Sequence, residues 1–128
     1  LAGTTKDIYL CEAVELLLNN ESVGTKIWGF ESKKNSKSIV TRKIITQEFP
    51  AQFINEAKKI FKDLGKVDLM RIDGKWKNNN FYVIELSPDC SLHESCFMST
   101  AFKYNNYTYE EMLDILIKTC LNNSNIYI

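Results

Sequence analysis

The stretch RIDGKWKNNNFYVIELS, residues 71–87, decides what kind of fold this chain can form. Residues 67–77 and 81–87 are rich in apolar and aromatic side chains, which is typical of β-strands. The three asparagines at 78–80 tolerate the left-handed backbone conformations that a tight turn requires. The stretch therefore predicts a β-hairpin with a three-residue loop.

The predicted hairpin places two carboxylates directly opposite each other. Its register puts Asp73 across from Glu85 and Arg71 across from Ser87, so all four side chains share one face. Like charges at this range destabilise a sheet, and a compensating cation or a shared proton is needed. Arg71 can serve as that cation, and so can a hard divalent metal such as Mg²⁺. Alternatively, the two carboxylates are simply solvated on an open sheet face.

Two helices flank the hairpin. Apolar residues recur at helical spacing over 51–64, after Pro50, and Gly65 ends the pattern. A second apolar stripe runs over 109–122, where Thr108 and Glu111 have the spacing of a capping box. The polar loop at 88–95 lies between hairpin and final helix, beside the carboxylates.

The N-terminal third adds further strands. Residues 7–18 fit an alternating strand, although the same apolar residues also fit a helix. Residues 26–31 and 38–45 are two shorter strand candidates. The sum predicts an α+β fold, an antiparallel sheet with helices packed on one face, forming a single domain over residues 1–128.

Charge and cysteine content exclude several classes of function. The 16 basic and 16 acidic side chains balance, and no apolar run approaches the roughly 20 residues that span a bilayer. We therefore expect neither nucleic-acid nor membrane partners, and we expect reduced thiols and a cytoplasmic location. Cys90, His93 and Cys96 have a spacing that leaves a zinc site open as an alternative. His93 is otherwise a hydrogen-bonding loop residue, and Trp76 packs on the sheet surface.

Four segments carry a resemblance to a known family. They are an R-x-D strand, a strand that ends in E-x-S, a proline-containing loop with serines and the start of the last helix, at residues 71–73, 81–87, 88–95 and 107–113. Their order and spacing resemble the C-terminal part of ATP-grasp ligases, most closely the D-alanine-D-alanine ligases. Upstream, Phe49-Pro50-Ala51 and the helix after it resemble the family's C-P-A segment. The resemblance implies a fold like the ATP-grasp C-terminal subdomain.

The same resemblance implies roles for individual residues. Asp73 and Glu85 would be metal ligands that bridge ATP phosphates, and Ser87 stands where the family has a metal-binding asparagine. Arg71 would steady the acyl-phosphate intermediate. Ser95 would lie in the loop that holds the carboxylate of the second substrate. ATP and Mg²⁺, or Mn²⁺, would be the cofactors.

The expected function is ATP-dependent carboxylate-amine ligation on a small amino-acid or carboxylate substrate. This chain would contribute the metal-nucleotide and acceptor-side residues. No residue is a candidate for the adenine pocket, so a missing N-terminal lobe or a partner chain would complete the site. Two alternatives stay open, a binding or regulatory module that kept the fold and lost the chemistry, and a small α+β interaction domain.

Overall fold

The computed structural model describes residues 1–22 and 40–124. The predicted strand at 26–31 lies outside these residues. The described strands are β1 (Ala2–Gly3), β2 (Ile8–Leu10), β3 (Val14–Leu18), β4 (Glu21–Ser22), β5 (Val40–Ile44), β6 (Arg71–Lys77) and β7 (Asn80–Ser87). The described helices are α1 (Ala51–Asp63), α2 (Phe97–Tyr104) and α3 (Tyr109–Asn123).

The fold is mixed α+β with antiparallel sheets, as predicted, but the strands form three small sheets where one sheet was expected. Within residues 1–22 and 40–124, β1 pairs with β2, β3 lies between β4 and β5, and β6 pairs with β7. The predicted strand at 7–18 is two strands, and residues 11–13 between β2 and β3 belong to neither. Every described helix is too short or too polar to cross a bilayer.

The hairpin of β6 and β7 has the predicted opposition at its base but a different turn. Lys77 pairs with Asn80, so the turn has two residues and not the predicted three. Asn78 and Asn79 occupy it with φ of 53° and 59°, the left-handed region that such a turn requires. A β-bulge next to Gly74 then shifts the pairing by one residue and restores the predicted register at the base of the hairpin.

One face of the hairpin is covered by aromatic side chains that precede and begin α1. Phe49 packs edge-on against Trp76 and Phe81, with ring centroids 5.2 and 5.6 Å apart. Phe53 lies 6.2 Å from Phe81. Trp76 therefore packs on the sheet surface, as predicted. The aromatic contacts of Phe49 and Phe53 hold α1 against the hairpin.

The helices within residues 1–22 and 40–124 agree with the sequence at two of three positions. α1 and α3 begin at the predicted residues, and the Thr108–Glu111 capping box is present in both directions. Gly65 follows α1 with φ of 83°, a conformation that suits glycine. α2 was not predicted and directly follows the polar loop.

The main core lies between α2, α3 and the first strands. Its buried members are Ala2, Leu10, Cys90, Cys96, Met98, Ala101, Phe102, Met112 and Leu116. Outside it, the Tyr9 hydroxyl hydrogen-bonds with the Thr119 hydroxyl at 3.0 Å. The core fixes the loop at 88–96, because two of its cysteines are buried members. Loop and hairpin base are thereby held side by side.

Candidate functional site: the base of the hairpin

The structure brings the four predicted hairpin residues together. Arg71 pairs with Ser87, and Asp73 pairs with Glu85, in the antiparallel register of β6 and β7. The alternation of side chains along a strand places all four on one face. This part of the sequence prediction is confirmed.

Arg71 is the cation that compensates the paired carboxylates. Its Nε donates to Asp73 Oδ1 at 2.7 Å, and its Nη2 donates to Asp73 Oδ2 at 2.8 Å. Both side chains are about two-thirds buried, with exposures of 33% and 37%. The hydrogen bonds to Asp73 raise the pKa of the guanidinium, so Arg71 stays charged. Both oxygens of Asp73 are therefore already in use.

Glu85 is held in a different way. Its Oε1 accepts a hydrogen bond from the Ser87 hydroxyl at 3.0 Å. Ser87 is buried, whereas the Glu85 side chain is exposed. Oε2 receives no hydrogen bond from the described residues, so Glu85 is the more available of the two carboxylates. Ser87 acts here as a positioning group for Glu85.

Arg42 on β5 belongs to the same site, although no motif in the sequence pointed to it. Its Cζ lies 4.9 Å from the centroid of the Phe97 ring, and Arg71 Cζ lies 5.8 Å from that centroid. Arg42 and Arg71 are the two arginines of the chain. Both therefore converge on one aromatic side chain at the first residue of α2.

The Arg42 Nε is a buried donor without an acceptor. Across the part of the chain that the structure describes, it is the one buried side-chain nitrogen or oxygen that lacks a hydrogen-bond partner. A buried donor without an acceptor is energetically unfavourable, so Arg42 Nε has hydrogen-bonding capacity to offer a ligand. One sequence signal could have drawn attention to Arg42. Side chains alternate between the two faces of a strand, and Arg42 shares its face with the apolar residues Val40 and Ile44.

The start of α2 adds a third positive feature. Phe97 is the first residue of the helix, and the side chain of the N-cap residue Cys96 does not cap the amide groups of the first turn. The first amide groups of a helix carry partial positive charge and have no partner within the helix. Two guanidinium groups and a helix N-terminus thus lie around Phe97, beside the carboxylates of the hairpin.

The loop before α2 contains the predicted substrate residue Ser95. Its hydroxyl lies 2.9 Å from His93 Nδ1, and its backbone amide donates to the same nitrogen at 3.2 Å. His93 is thus a hydrogen-bonding loop residue, as predicted. Ser95 is exposed and lies two residues before α2.

The zinc alternative does not form. The Cys96 thiol donates to the Ser91 carbonyl at 2.9 Å, and His93 bonds with Ser95. Residues 1–22 and 40–124 contain no group of three or more histidine, cysteine, aspartate or glutamate side chains arranged to hold a metal. Cys11, Cys90, Cys96 and Cys120 are all free thiols. Any metal held by Asp73 and Glu85 would need further ligands from elsewhere.

No protein family, no curated protein and no solved structure matches this chain. The chemical character of the site is therefore read from its residues alone. Two guanidinium groups suit an anion, and two adjacent carboxylates suit a cation that accompanies that anion.

Proposed function

We propose that this domain supplies the metal-nucleotide and acceptor side of an ATP-dependent carboxylate-amine ligase, in the manner of a C-terminal ATP-grasp subdomain. The convergence of Arg42 and Arg71 on Phe97, beside Asp73 and Glu85, carries the proposal. A phosphate group needs cations on its oxygens, and its accompanying Mg²⁺ needs carboxylates. The hairpin base offers both within one face.

Each side chain has a defined part in the proposed reaction. Arg42 and Arg71 bind the transferred phosphoryl group, and the unpartnered Arg42 Nε finds its acceptor there. Glu85 and Asp73 hold Mg²⁺ or Mn²⁺, with Ser87 orienting Glu85. A bound metal would supply charge neutralisation of the phosphate oxygens. The donor set fits such an ion only in part, because Asp73 must share its oxygens with Arg71.

The acceptor side lies at the loop before α2. In this proposal Ser95 binds the carboxylate of a small amino-acid substrate, and His93 positions the Ser95 hydroxyl through the 2.9 Å contact. A second lobe or partner chain completes the nucleotide cleft and supplies the adenine pocket. The free thiols and the use of ATP are consistent with a cytoplasmic location.

A second candidate is an anion-binding regulatory module that no longer holds a metal. Two observations favour it, the full engagement of Asp73 by Arg71 and the serine at position 87. A hydroxyl is a weaker ligand for Mg²⁺ than an amide carbonyl or a carboxylate. This candidate predicts anion binding that does not depend on metal.

Calorimetric titration with ATP tests the proposal, with and without Mg²⁺ or Mn²⁺. We expect metal-dependent binding that Glu85→Gln and Arg42→Ala each weaken about tenfold or more, since each loses a charge-assisted contact worth about 1.5–3 kcal/mol. The matched control is Asp63→Asn, an exposed carboxylate at the end of α1, which should bind like the parent. Binding of ATP or pyrophosphate that needs Arg42 but no metal would select the regulatory module. Absence of any nucleotide or phosphate binding would overturn both candidates.

A further inference from the structure

Arg71 has hydrogen-bond donors to spare beyond those that hold Asp73. Its Nε and Nη2 donate to the two oxygens of Asp73 at 2.7 and 2.8 Å. A guanidinium group carries five N–H donors, so the remaining N–H groups are not used by this pair. Among residues 1–22 and 40–124, Asp73 is the one side chain to which Arg71 donates. The same guanidinium can therefore contact Asp73 and an incoming anion.

The charges around Arg71 cancel. The pKa of its guanidinium is raised mainly by the hydrogen bonds to Asp73, and the negative charges of Asp73 and Glu85 raise it further. Arg42 shares the Phe97 ring with Arg71, at 4.9 and 5.8 Å from the ring centroid. Two guanidinium groups thus stand beside two carboxylates, and their formal charges sum to zero.

A site of this composition is poorly suited to either ion alone. A divalent metal on its own meets the Arg71 guanidinium, which occupies both oxygens of Asp73. In the described part of the chain, no third acidic, histidine or cysteine side chain joins Asp73 and Glu85 as a ligand. A phosphate-type anion on its own meets the two carboxylates. Because Arg71 and Asp73 are mostly buried, solvent and salt screen these repulsions only in part.

The two ions together remove both difficulties. The charge of a dication and that of a dianion cancel, so the site stays neutral when it is filled. The oxygens of the anion add to the carboxylate oxygens around the metal, which is the usual arrangement for Mg²⁺ beside a phosphate. The anion also takes up the free N–H groups of Arg71, which weakens the hold of Arg71 on Asp73.

We propose that the hairpin base binds a divalent metal and a phosphate-type anion cooperatively, and that Arg71 couples the two. Without the anion, Arg71 keeps Asp73 from the metal. With the anion bound, Arg71 releases a carboxylate oxygen of Asp73. Each ion then raises the affinity for the other by the same factor. The inference rests on the proposed function, because it concerns the regulation of the same metal and nucleotide site.

Electron paramagnetic resonance of Mn²⁺ added to the full chain tests the coupling, because free Mn²⁺ gives a sharp signal that is lost on binding. Sulfate at constant ionic strength is the anion, since it is tetrahedral and divalent and binds Mn²⁺ only weakly itself. In the parent, sulfate should tighten Mn²⁺ binding about fivefold or more. Arg71→Met should bind Mn²⁺ without sulfate about fivefold more tightly than the parent, and sulfate should then change its affinity less than about twofold.

The matched control is Lys118→Met, which removes the cation from an exposed ion pair with Asp114 on α3. It should behave like the parent with and without sulfate. Circular dichroism checks that each variant is folded. The comparison of the parent with and without sulfate needs no variant, so it decides the coupling even where Arg71→Met does not fold.

Glu85→Gln tests the coupling from the side of the anion. In metal-free buffer this variant should bind pyrophosphate about threefold or more tightly than the parent, because one negative charge beside the anion is lost. This direction is opposite to the loss of metal-dependent ATP binding expected for the same variant. Calorimetric titration measures both, with Asp63→Asn as the unchanged control. A residue that only supported the fold would not strengthen pyrophosphate binding.

The outcomes separate this inference from the proposed function. Equal Mn²⁺ affinity of the parent with and without sulfate overturns the coupling and leaves the proposed metal site in place. Weaker Mn²⁺ binding by a folded Arg71→Met without sulfate also overturns it, since Arg71 would then support the metal. A parent that binds Mn²⁺ neither with sulfate nor with ATP overturns the proposed function and the coupling together.

Discussion

Gly74 is the residue that allows the hairpin to pack against α1. A Cβ at this position would overlap the Phe81 ring and would lie 2.5 Å from the Tyr82 carbonyl oxygen. Its backbone is not in the left-handed region, so the requirement is one of space. The same glycine adjoins the β-bulge that sets Asp73 opposite Glu85. A single missing side chain therefore supports both the aromatic cluster and the candidate site.

We predict that Gly74→Ala lowers the free energy of unfolding by about 1–3 kcal/mol, the usual effect of overpacking a closed contact. The backbone carbonyl cannot move without disturbing the β6–β7 ladder. Urea unfolding at neutral pH measures the effect. Gly65→Ala is the control, because Gly65 has φ of 83° but a Cβ there would have no atom within 4 Å, so this variant reports conformational strain alone. A smaller loss for Gly74→Ala than for Gly65→Ala would contradict this account.

At the residue scale, the sequence was sufficient to place side chains that lie within one hairpin. Asp73, Glu85, Arg71 and Ser87 could be placed together because a hairpin has few registers. Arg42 could not be placed, because its role depends on the approach of β5 to α2. That approach is a tertiary contact, and a strand pattern carries no information about which element lies beside it.

At the element scale, the predicted opposition of Asp73 and Glu85 is correct, but the turn that produces it differs from the predicted one. The prediction used a three-residue loop, whereas the chain has a two-residue turn and one bulged residue. The turn and the bulge each shift the register by one residue, and their effects cancel at Asp73 and Glu85. Asn78 and Asn79 fill the turn because asparagine tolerates positive φ. No short-range pattern marks the bulge, which is why it was not predicted.

Helix α2 was missed although its sequence contains the expected signal. Met98, Ala101 and Phe102 have helical spacing, and all three are buried. The helix has eight residues and no side-chain cap, so the usual start signal is absent. α3 differs because Thr108 and Glu111 mark its beginning.

The capping box of α3 gives a prediction at this scale. The Glu111 amide donates to Thr108 Oγ1 at 3.1 Å, and the Thr108 amide donates to Glu111 Oε2 at 2.7 Å. Thr108→Ala should lower the free energy of unfolding by about 1 kcal/mol, because it leaves an amide of the first turn unpaired. Thr108→Ser keeps the acceptor and should stay within a few tenths of a kcal/mol of the parent. Thermal and urea unfolding measure both variants, and equal losses for alanine and serine would exclude the cap as the cause.

At the scale of the whole molecule, side-chain contacts tie distant parts of the sequence together. Glu12 accepts hydrogen bonds from Asn105 at 2.9 Å and from Thr46, and Asn123 donates to Asp68. The Glu12 contacts join the segment between β2 and β3 to the end of α2 and to the segment after β5, and the Asn123 contact joins the end of α3 to the segment before β6. The sequence indicated α+β composition correctly, but it could not show that the strands in the described part of the chain form three sheets, since sheet membership depends on such long-range contacts.

Burial of ionisable groups in the folded chain makes its free energy of unfolding depend on pH. Burial raises the pKa of the Cys11 and Cys90 thiols above their ordinary 9.0, and it raises the pKa of the Tyr9 hydroxyl above 10.0. The folded chain therefore keeps these protons at pH values where the unfolded chain releases them. The unfolded state then binds fewer protons, and the free energy of unfolding falls as pH rises through these values.

We predict that these three groups leave the free energy of unfolding unchanged up to about pH 8. Above about pH 9 they should lower it. Urea unfolding at intervals of pH measures the curve. Cys90→Ala removes one of the buried groups, so its curve should decline less steeply than that of the parent. Cys120→Ala removes an exposed thiol and should run parallel to the parent. An identical slope for Cys90→Ala and the parent would show that burial of this thiol does not govern the alkaline loss, and the decline would then belong to Cys11 and Tyr9.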